Sequence, residues 1–382
     1  MKINIANNQE IGIIATLLKK RHSIQTVIME AARPCVIAAL STLASSPVAV
    51  VCANPQRALR IEEEVNFWLD RKACTIVPEN ETIPYQRLAG STVNAQERVE
   101  ALGEIISHGR ASAPPVIIFT ARTLAFKTVD HGKFADSWMH IKKGQQVDLL
   151  EIMQNLAGIG YKVEGTVTLP GQISRRGGIL DVFPVGREKP VRIDFFGDEI
   201  DEIRDFDPLT QRSTERIEEC SIGPGSEISA ALFSSKYEIS DLLNKINLDG
   251  LQDEQKALIS SDMEKMLEGE HIEHASFYSP LFFNETILNY LPAGSMVILE
   301  DADSVQWALS NINTEEEKAR RGYIESGYLP EGTPSLYFGW EEIENQINPH
   351  PVLYIYSWEL EKEVAVIKPG FGPVEKFGGS YS

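Results

Sequence analysis

Fifty residues in the middle of the chain, 163–212, constrain its fold more than any other stretch. Side chains alternate in direction along a β-strand, so residues 191–196 would present two different faces. Three apolar side chains would face the core, namely Val191, Ile193 and Phe195. The other three would face solvent, namely Arg192, Asp194 and Phe196. Gly197 and Asp198 suit a two-residue turn of type II′, with glycine first, and a second strand follows over about 199–206. The stretch therefore predicts an antiparallel hairpin with one buried face.

The neighbouring residues extend this hairpin into a small α+β module. Apolar periodicity predicts a helix over 147–156 and further strands over 163–169 and 179–183. Arg175 and Arg176 come just before one of these strands, so both arginines are expected at an exposed strand end. An exposed Phe196 beside Arg192 has the composition of a protein-interaction hot spot.

The regions on either side of this module alternate strands with helices. The first region predicts strands over 26–29, 48–52, 74–77 and 116–120, and helices over 11–21, 35–43, 55–69 and 95–107. The third region, from residue 223, predicts strands over 296–299, 335–338 and 352–356, and helices over 236–248, 255–268, 305–320 and 341–347. Such alternation indicates a parallel sheet that is covered by helices on both faces.

The turn after the first strand stands where a nucleotide-binding protein of this class would place its phosphate loop. Such a loop needs glycines to wrap the phosphates, then Lys and Ser or Thr for the phosphates and Mg²⁺. The residues here are Glu30, Ala31, Ala32 and Arg33, followed by Pro34. The carboxylate of Glu30 would repel phosphate, and Pro34 removes an N–H donor from the start of the helix. The sequence therefore predicts that ATP does not bind at this loop.

Composition and charge narrow the functional classes. A length of 382 residues suits two or three domains. A net charge of −19 argues against a general nucleic-acid binder, which would be basic. Neither a bilayer-spanning apolar run nor a signal-peptide pattern is found in the sequence. Four scattered cysteines without a C-x-x-C pair are typical of reduced thiols, and a cytoplasmic location without a membrane partner is expected.

Two groups of residues have the right chemistry for metal ligands but the wrong arrangement. The acidic residues between 198 and 207 lie along a hairpin, where neighbouring side chains diverge, so they predict a charged sheet edge. His271 and His274 have no evident third ligand and predict the exposed end of a helix. The sequence therefore predicts no metal site and no catalytic residue.

Two segments, RRGGILDVFP and PVRIDFFGDEIDEIRDFDPLTQRS, also carry a family resemblance. They closely resemble the signature of a small domain that binds UvrA in two bacterial repair families, UvrB and Mfd. The degenerate phosphate loop is similar to that of the Mfd family, whereas UvrB has an intact one. The segment ETIPYQRLAGSTVNAQERVEALGEI also resembles Mfd, because UvrB has a long aromatic hairpin at this place. Tyr85 and Arg87 are expected instead to pack against the edge of the sheet.

The resemblance implies a fold, domain limits and a set of contact residues. Residues 1–127 and 223–369 would form the two halves of a degenerate RecA-like, UvrB-like α/β domain. Residues 128–222 would form an inserted α+β domain that binds UvrA, and 370–382 a Gly-rich tail. The family motif carries the UvrA contact over to Arg176, Arg192 and Phe196, and we include Arg175 and Asp194 in the expected site. From spacing alone, Arg192 could instead form an ordinary surface ion pair with Asp194 or Asp181.

The resemblance further implies a recruitment module rather than an enzyme. Such a module would bind UvrA and bring nucleotide excision repair to a stalled RNA polymerase. No cofactor is expected in this stretch. ATP, Mg²⁺, DNA and RNA polymerase would be bound by further domains of the full-length family members, which are ATP-dependent DNA translocases. Two alternatives are a UvrB-like ATP-dependent helicase and a DNA-binding module.

Overall fold

A computed structural model describes residues 9–20, 23–81, 85–87, 92–107, 116–232, 236–270, 272 and 274–357. These residues form two six-stranded sheets and one two-stranded sheet. The strands are β1 Ile24–Val27, β2 Val48–Cys52, β3 Cys74–Ile76, β4 Val116–Thr120, β5 Met139–Lys142, β6 Lys162–Val163, β7 Gln172–Arg176, β8 Ile179–Val182, β9 Val191–Phe196, β10 Glu199–Phe206, β11 Ser213–Ile217, β12 Glu219–Ile222, β13 Met296–Leu299 and β14 Val352–Tyr356.

Helices surround the first sheet and support the second. They are α1 Gln9–Lys19, α2 Arg33–Leu43, α3 Pro55–Leu69, α4 Thr92–Ser107, α5 Ala121–Ala125, α6 His131–Asp136, α7 Leu149–Gly158, α8 Glu227–Leu232, α9 Lys236–Leu243, α10 Asp253–Glu268, α11 Ser279–Phe282, α12 Ala302–Glu325 and α13 Trp340–Ile347. Local chemistry starts several of them at defined residues. Asn54 accepts a hydrogen bond from the backbone N–H of Arg57 to begin α3, and Asp148 caps α7 in the same way.

The first sheet is parallel and combines strands from both flanking regions. Its strand order is β1-β14-β13-β2-β4-β3, so β13 and β14 of the third region lie between β1 and β2 of the first. Alternate residues of β2 enter two different hydrophobic clusters, Val50 on one side and Val51 on the other. Both faces are therefore covered, and the α/β fold with a separate inserted sheet is confirmed.

The second sheet has the order β11-β10-β9-β8-β7-β6 and contains the predicted hairpin. Phe196 pairs with Glu199 across the two-residue turn. Gly197 has a φ of +62°, a backbone conformation that costs glycine little. The sequence pattern does not predict β11 or β12. The acidic hairpin was expected to form a charged sheet edge. That expectation is wrong, because β11 pairs with β10 and forms the edge instead.

The predicted strand over 163–169 is wrong in extent, because it is confined to Lys162–Val163. The following residues fold across the sheet instead. Val167 is buried against Phe183 and Phe206, and the side chain of Gln172 accepts backbone hydrogen bonds from residues 168 and 169. The strand 335–338 is also wrong, since an isolated bridge between Phe126 and Tyr337 stands in its place.

The inserted domain and the larger domain share one hydrophobic core. Trp138 lies at their junction, where its ring fills the space beside Gly103 of α4 and beside Gly223. Thr128 and Val129, which precede Trp138 in the chain, contact the third region. The hydroxyl of Tyr290 donates to the carbonyl of Val129, and Thr128 pairs with Glu285. The predicted start of the insertion at residue 128 stays a prediction, but these contacts join residues 128 and 129 to the larger domain.

Tyr85 and Arg87 are packed as expected, but against helices rather than a sheet edge. The buried hydroxyl of Tyr85 donates to Glu316 on α12. The guanidinium of Arg87 donates to Asp262 on α10 at 2.6 Å and to the hydroxyl of Tyr278 at 2.7 Å. The expectation of a sheet edge as the packing partner was wrong, because the sequence gives no sign that α10 and α12 approach this loop.

No helix within the described ranges has both the length and the apolar character to cross a bilayer. The Gly-rich tail 370–382 and His271 lie outside the described residues. The four cysteines are buried and unpaired, and burial raises the pKa of the Cys220 thiol to about 11, so this thiol stays protonated at neutral pH.

Candidate functional site

The residues predicted to meet a partner lie mostly on one side of the second sheet. One side of strands β7 to β10 points away from the shared core. We call this side the outer face. Facing residues of antiparallel strands point to the same side. One row across the strands consists of Ser174, Asp181, Arg192 and Arg204, and the next of Arg176, Ile179 and Asp194. Phe196 continues the same side along β9, so four of the five predicted residues share the outer face.

Phe196 lies at the hairpin end of this face and is 82% exposed. Its neighbour Phe195 turns to the other side and packs on the core. The ring of Phe196 can therefore bury a large apolar area against a partner. Aromatic side chains are often the residues that contribute most to the affinity of a protein interface.

Arg192 has an internal partner, which realises the ion-pair alternative left open by the sequence. Its Nε and Nη2 donate to the two carboxylate oxygens of Asp181 at 2.7 and 2.9 Å. Its Nη1 donates to the backbone carbonyl of Gln211 at 3.3 Å, and the guanidinium lies over the ring of Phe206. The hydrogen bonds that Arg192 donates to the carboxylate of Asp181 raise the pKa of Arg192 above its ordinary value. With 16% of its side chain exposed, Arg192 has little surface left for a partner.

The other charged residues divide between the two sides of the sheet. Asp194 forms an ion pair with Arg204 of β10. Arg176 is exposed and donates from Nη2 to the carbonyl of Gly165 at 3.1 Å and to the hydroxyl of Thr166 at 3.0 Å. Arg175 pairs with the core residue Leu180, so its side chain begins on the opposite side from Arg176. The structure thus brings together Arg176, Asp194, Arg192 and Phe196 but not Arg175.

A small cluster at the other end of the outer face was missed by the sequence analysis. Val167, Phe183 and Phe206 are buried against one another there, and the connection 207–212 between β10 and β11 is joined to Val167 by a hydrogen bond from the side chain of Gln211. This connection presents Leu209, which is 90% exposed. The available signal was an apolar residue within the turn sequence DPLTQR, where polar side chains predominate.

The degenerate phosphate loop is closed by an internal ion-pair network. Arg33 is 2% exposed and begins α2, directly after a short 3₁₀ turn, Glu30–Ala32. Its guanidinium donates to Glu300 at 2.8 Å and to the hydroxyl of Ser357 at 2.7 Å. It also donates to Asp301 at 3.3 Å and to the carbonyl of Ile28 at 3.1 Å.

The position of this network is the one where open α/β sheets bind ligands. Ile28, Glu300 and Ser357 directly follow β1, β13 and β14, at the carboxyl ends of parallel strands. Arg57 adds a second cation there, donating to Glu300 at 2.5 Å and to Glu30 at 2.8 Å. Glu300 and Asp301, which directly follow β13, are therefore neutralised by arginines of the protein itself.

The same network shifts the pKa of Asp301 from its ordinary value. Burial alone would raise the pKa of Asp301. Hydrogen bonds from Ser357 and Ser304 and the charge of Arg33 outweigh burial and lower it below the ordinary value. Asp301 is thus held as a carboxylate that caps the start of α12, where it accepts from the N–H of Ser304 at 3.3 Å.

One group of potential metal ligands occurs elsewhere. Asp130, His131 and Glu285 lie close enough to share an ion. Glu285 accepts from the backbone N–H of His131 at 2.8 Å and approaches its Nδ1 at 3.0 Å. Asp130 caps α6 by accepting from the N–H of Lys133 at 2.9 Å. These contacts give two of the three residues a structural role in starting the helix.

Comparison with known proteins gives matches at two scales. Residues 139–228 match the family model described as the UvrB interaction domain. Over longer stretches the chain is similar to proteins named transcription-repair-coupling factor. That of Bacillus subtilis is 24% identical over 332 residues, 85% of this chain. That of Escherichia coli is 26% identical over 69% of the chain, and that of Staphylococcus aureus 28% over 64%. The matched stretch covers 28%, 22% and 22% of these three relatives.

Proposed function

We propose that this chain, an Mfd-type module built around a UvrB interaction domain, binds UvrA through its outer face. The single observation that carries the proposal is the exposure of Phe196 within the matched domain, on the side of β9 that the shared core leaves uncovered. Arg176, exposed on the same face, would add a guanidinium for a partner carboxylate. Arg192 and Asp194 lie on the same face, where Arg192 forms an ion pair with Asp181 and Asp194 forms one with Arg204.

In this proposal the module recruits rather than catalyses. Its role would be to bring UvrA, and with it nucleotide excision repair, to the place where the longer protein acts. The similarity to transcription-repair-coupling factors supports a stalled RNA polymerase as that place. Because the chain spans less than a third of those relatives, RNA polymerase, DNA and the ATP-dependent translocase activity belong to the proposal for the longer protein.

The network around Arg33 supports the absence of nucleotide chemistry in this stretch. A phosphate loop works by offering N–H donors and a lysine to an empty space that phosphate then fills. Here the guanidinium of Arg33 already holds Glu300 and Asp301 at that place. A helicase of the UvrB type would need this space for ATP and Mg²⁺, so the arginine disfavours that alternative.

The experiment that tests the proposal is a calorimetric titration of the chain against purified UvrA. We expect binding at micromolar concentration or tighter, with a stoichiometry that does not change when salt is raised. Absence of heat from a chain that is folded by circular dichroism would contradict the proposal. A parallel titration against duplex DNA addresses the alternative of a DNA-binding module, whose affinity would fall steeply with salt concentration.

A further inference from the structure

Two apolar side chains stand out on the surface of the second sheet. Leu209 and Phe196, 90% and 82% exposed, are the two most exposed large hydrophobic residues in the part of the chain that the structure describes. Single apolar side chains on a surface are common and require no explanation. Here, however, Phe196 lies on β9 and Leu209 in the connection between β10 and β11 of the same sheet, within a domain that matches the UvrB interaction domain.

Phe196 lies at one end of the outer face, and the loop that carries Leu209 lies at the other end. Phe196 directly precedes the turn between β9 and β10, whereas Leu209 lies in the connection at the far end of β10. Arg192, near that far end, is four residues from Phe196 along β9. At about 3.3 Å per residue, this part of the strand alone separates the two ends by about 13 Å.

Hydrogen bonds hold Leu209 in its exposed position. The side chain of Asp207 accepts from the backbone N–H groups of Leu209 and Thr210 at 2.9 and 2.7 Å, which forms a tight turn. Gln211 then takes a positive φ of 60° and donates from Nε2 to the carbonyl of Val167 at 3.0 Å. A loop that is ordered in this way loses little conformational entropy when a partner covers it.

Arg192 connects the strand to this loop. Its Nη1 donates to the carbonyl of Gln211, and its guanidinium covers the ring of Phe206, the last residue before the loop. Its remaining donors are aligned on Asp181. The geometry is that of a residue which fixes the position of residues 207–212, not of one which extends toward solvent.

We propose that UvrA contacts the outer face at two apolar points, Phe196 and Leu209, and that Arg192 is a positioning residue acting through the loop that carries Leu209. This inference rests on the function proposed above. The surface between the two points carries charged side chains that already pair with each other, Asp181 with Arg192 and Asp194 with Arg204. Paired charges at an interface contribute mainly to specificity, so the apolar ends would provide most of the affinity.

The test measures UvrA affinity for Leu209→Ala beside the unaltered chain and Leu59→Ala. Leu59→Ala is the matched control, because Leu59 is exposed on α3 of the larger domain. We expect binding about tenfold weaker or more for Leu209→Ala, as for a hot-spot residue, and an unchanged affinity for Leu59→Ala. If the unaltered chain binds UvrA and Leu209→Ala binds equally well, the two-point contact is wrong while the proposed function stands. If the unaltered chain does not bind, the proposed function itself has failed.

A double-mutant cycle separates the positioning role of Arg192 from direct contact. If Arg192 acts through Leu209, the variant carrying both Arg192→Ala and Leu209→Ala should bind no more weakly than Arg192→Ala alone. The same cycle with Phe196→Ala should be additive. Additivity in both cycles would instead assign Arg192 its own contact with UvrA. Should Arg192→Ala fail to fold, shown by loss of its thermal transition, Leu209→Ala still decides the two-point contact.

Discussion

Arg192 and Asp181 face each other across β8 and β9, with both carboxylate oxygens of Asp181 accepting from the guanidinium at 2.7 and 2.9 Å. Asp181 is 1% exposed, and Arg192 is the cation that pairs with it. A bidentate pair of this kind fixes the side chain in both distance and orientation. The outer face is thus ordered internally before any partner arrives.

Replacing Asp181 by alanine should destabilise the protein, because Arg192 would lose its only carboxylate among the ion pairs described. Removal of one partner of a buried pair costs about 3–5 kcal/mol, and the partial exposure of Arg192 reduces our expectation to about 1–3 kcal/mol. Urea unfolding followed by circular dichroism measures this difference. Asp198→Ala, at an exposed residue of the hairpin turn, is the control and should change stability little. Equal stability of the two variants would contradict the account of Asp181.

The acid stability of the protein should depend on Asp301. Its pKa is lower in the folded protein than in the unfolded chain, so its contribution is fully present above the unfolded pKa, about 3.9, and is lost as pH falls through the lower folded value. Unfolding free energies measured at pH 6, 4 and 3 should therefore fall less steeply for Asp301→Asn than for the unaltered protein. Identical slopes would show that Asp301 ionises equally in both states.

Nucleotides should leave the thermal stability of the chain unchanged. A ligand that binds the folded state raises the unfolding temperature in proportion to the logarithm of its concentration over its dissociation constant. Because Arg33 holds Glu300 and Asp301, we expect no shift with millimolar ATP and Mg²⁺. A stabilisation that grows with ATP concentration would contradict this expectation and favour the helicase alternative.

Two glycines in helices should respond in opposite ways to alanine. A Cβ on Gly103 would lie 2.4 Å from the ring of Trp138, which is confined on its other side by Gly223. Gly103→Ala should therefore destabilise by about 1–3 kcal/mol through overpacking. Gly12 in α1 has no atom within 4 Å of the added Cβ, and Gly12→Ala should stabilise by about 0.5–1 kcal/mol. Thermal unfolding of both variants checks the two signs, and stabilisation by Gly103→Ala would show that Trp138 is not confined.

Patterns that are local in sequence predicted much of this fold. The alternation over 191–196 gave the hairpin, its turn and the side of Phe196, because the direction of side chains in a strand follows from its period of two residues. The continuous apolar runs predicted β2, β4 and β13 at their observed positions. Asn54 and Pro55 likewise mark the start of α3 in the sequence itself.

Long-range contacts account for what the sequence analysis missed. Residues 163–169 contain enough apolar and β-branched residues for a strand, but Val167 gains more by packing on Phe183 and Phe206. Nothing near Arg33 indicates that it meets Glu300, 267 residues later in the chain. The choice of Asp181 rather than Asp194 as partner of Arg192 depends on strand register, and β8 supplies it. In the same way, the exposure of Leu209 follows from the turn that Asp207 organises.

The most direct test of the central claim compares Phe196→Ala with Phe67→Ala in calorimetric titrations against UvrA. Both remove an exposed phenyl ring, one from the outer face and one from α3 of the larger domain. Since neither ring is buried, both variants should keep the stability of the unaltered protein. The account predicts that Phe196→Ala weakens UvrA binding at least about tenfold and that Phe67→Ala leaves it unchanged. Undiminished binding by a folded Phe196→Ala variant would contradict the claim that the outer face binds UvrA.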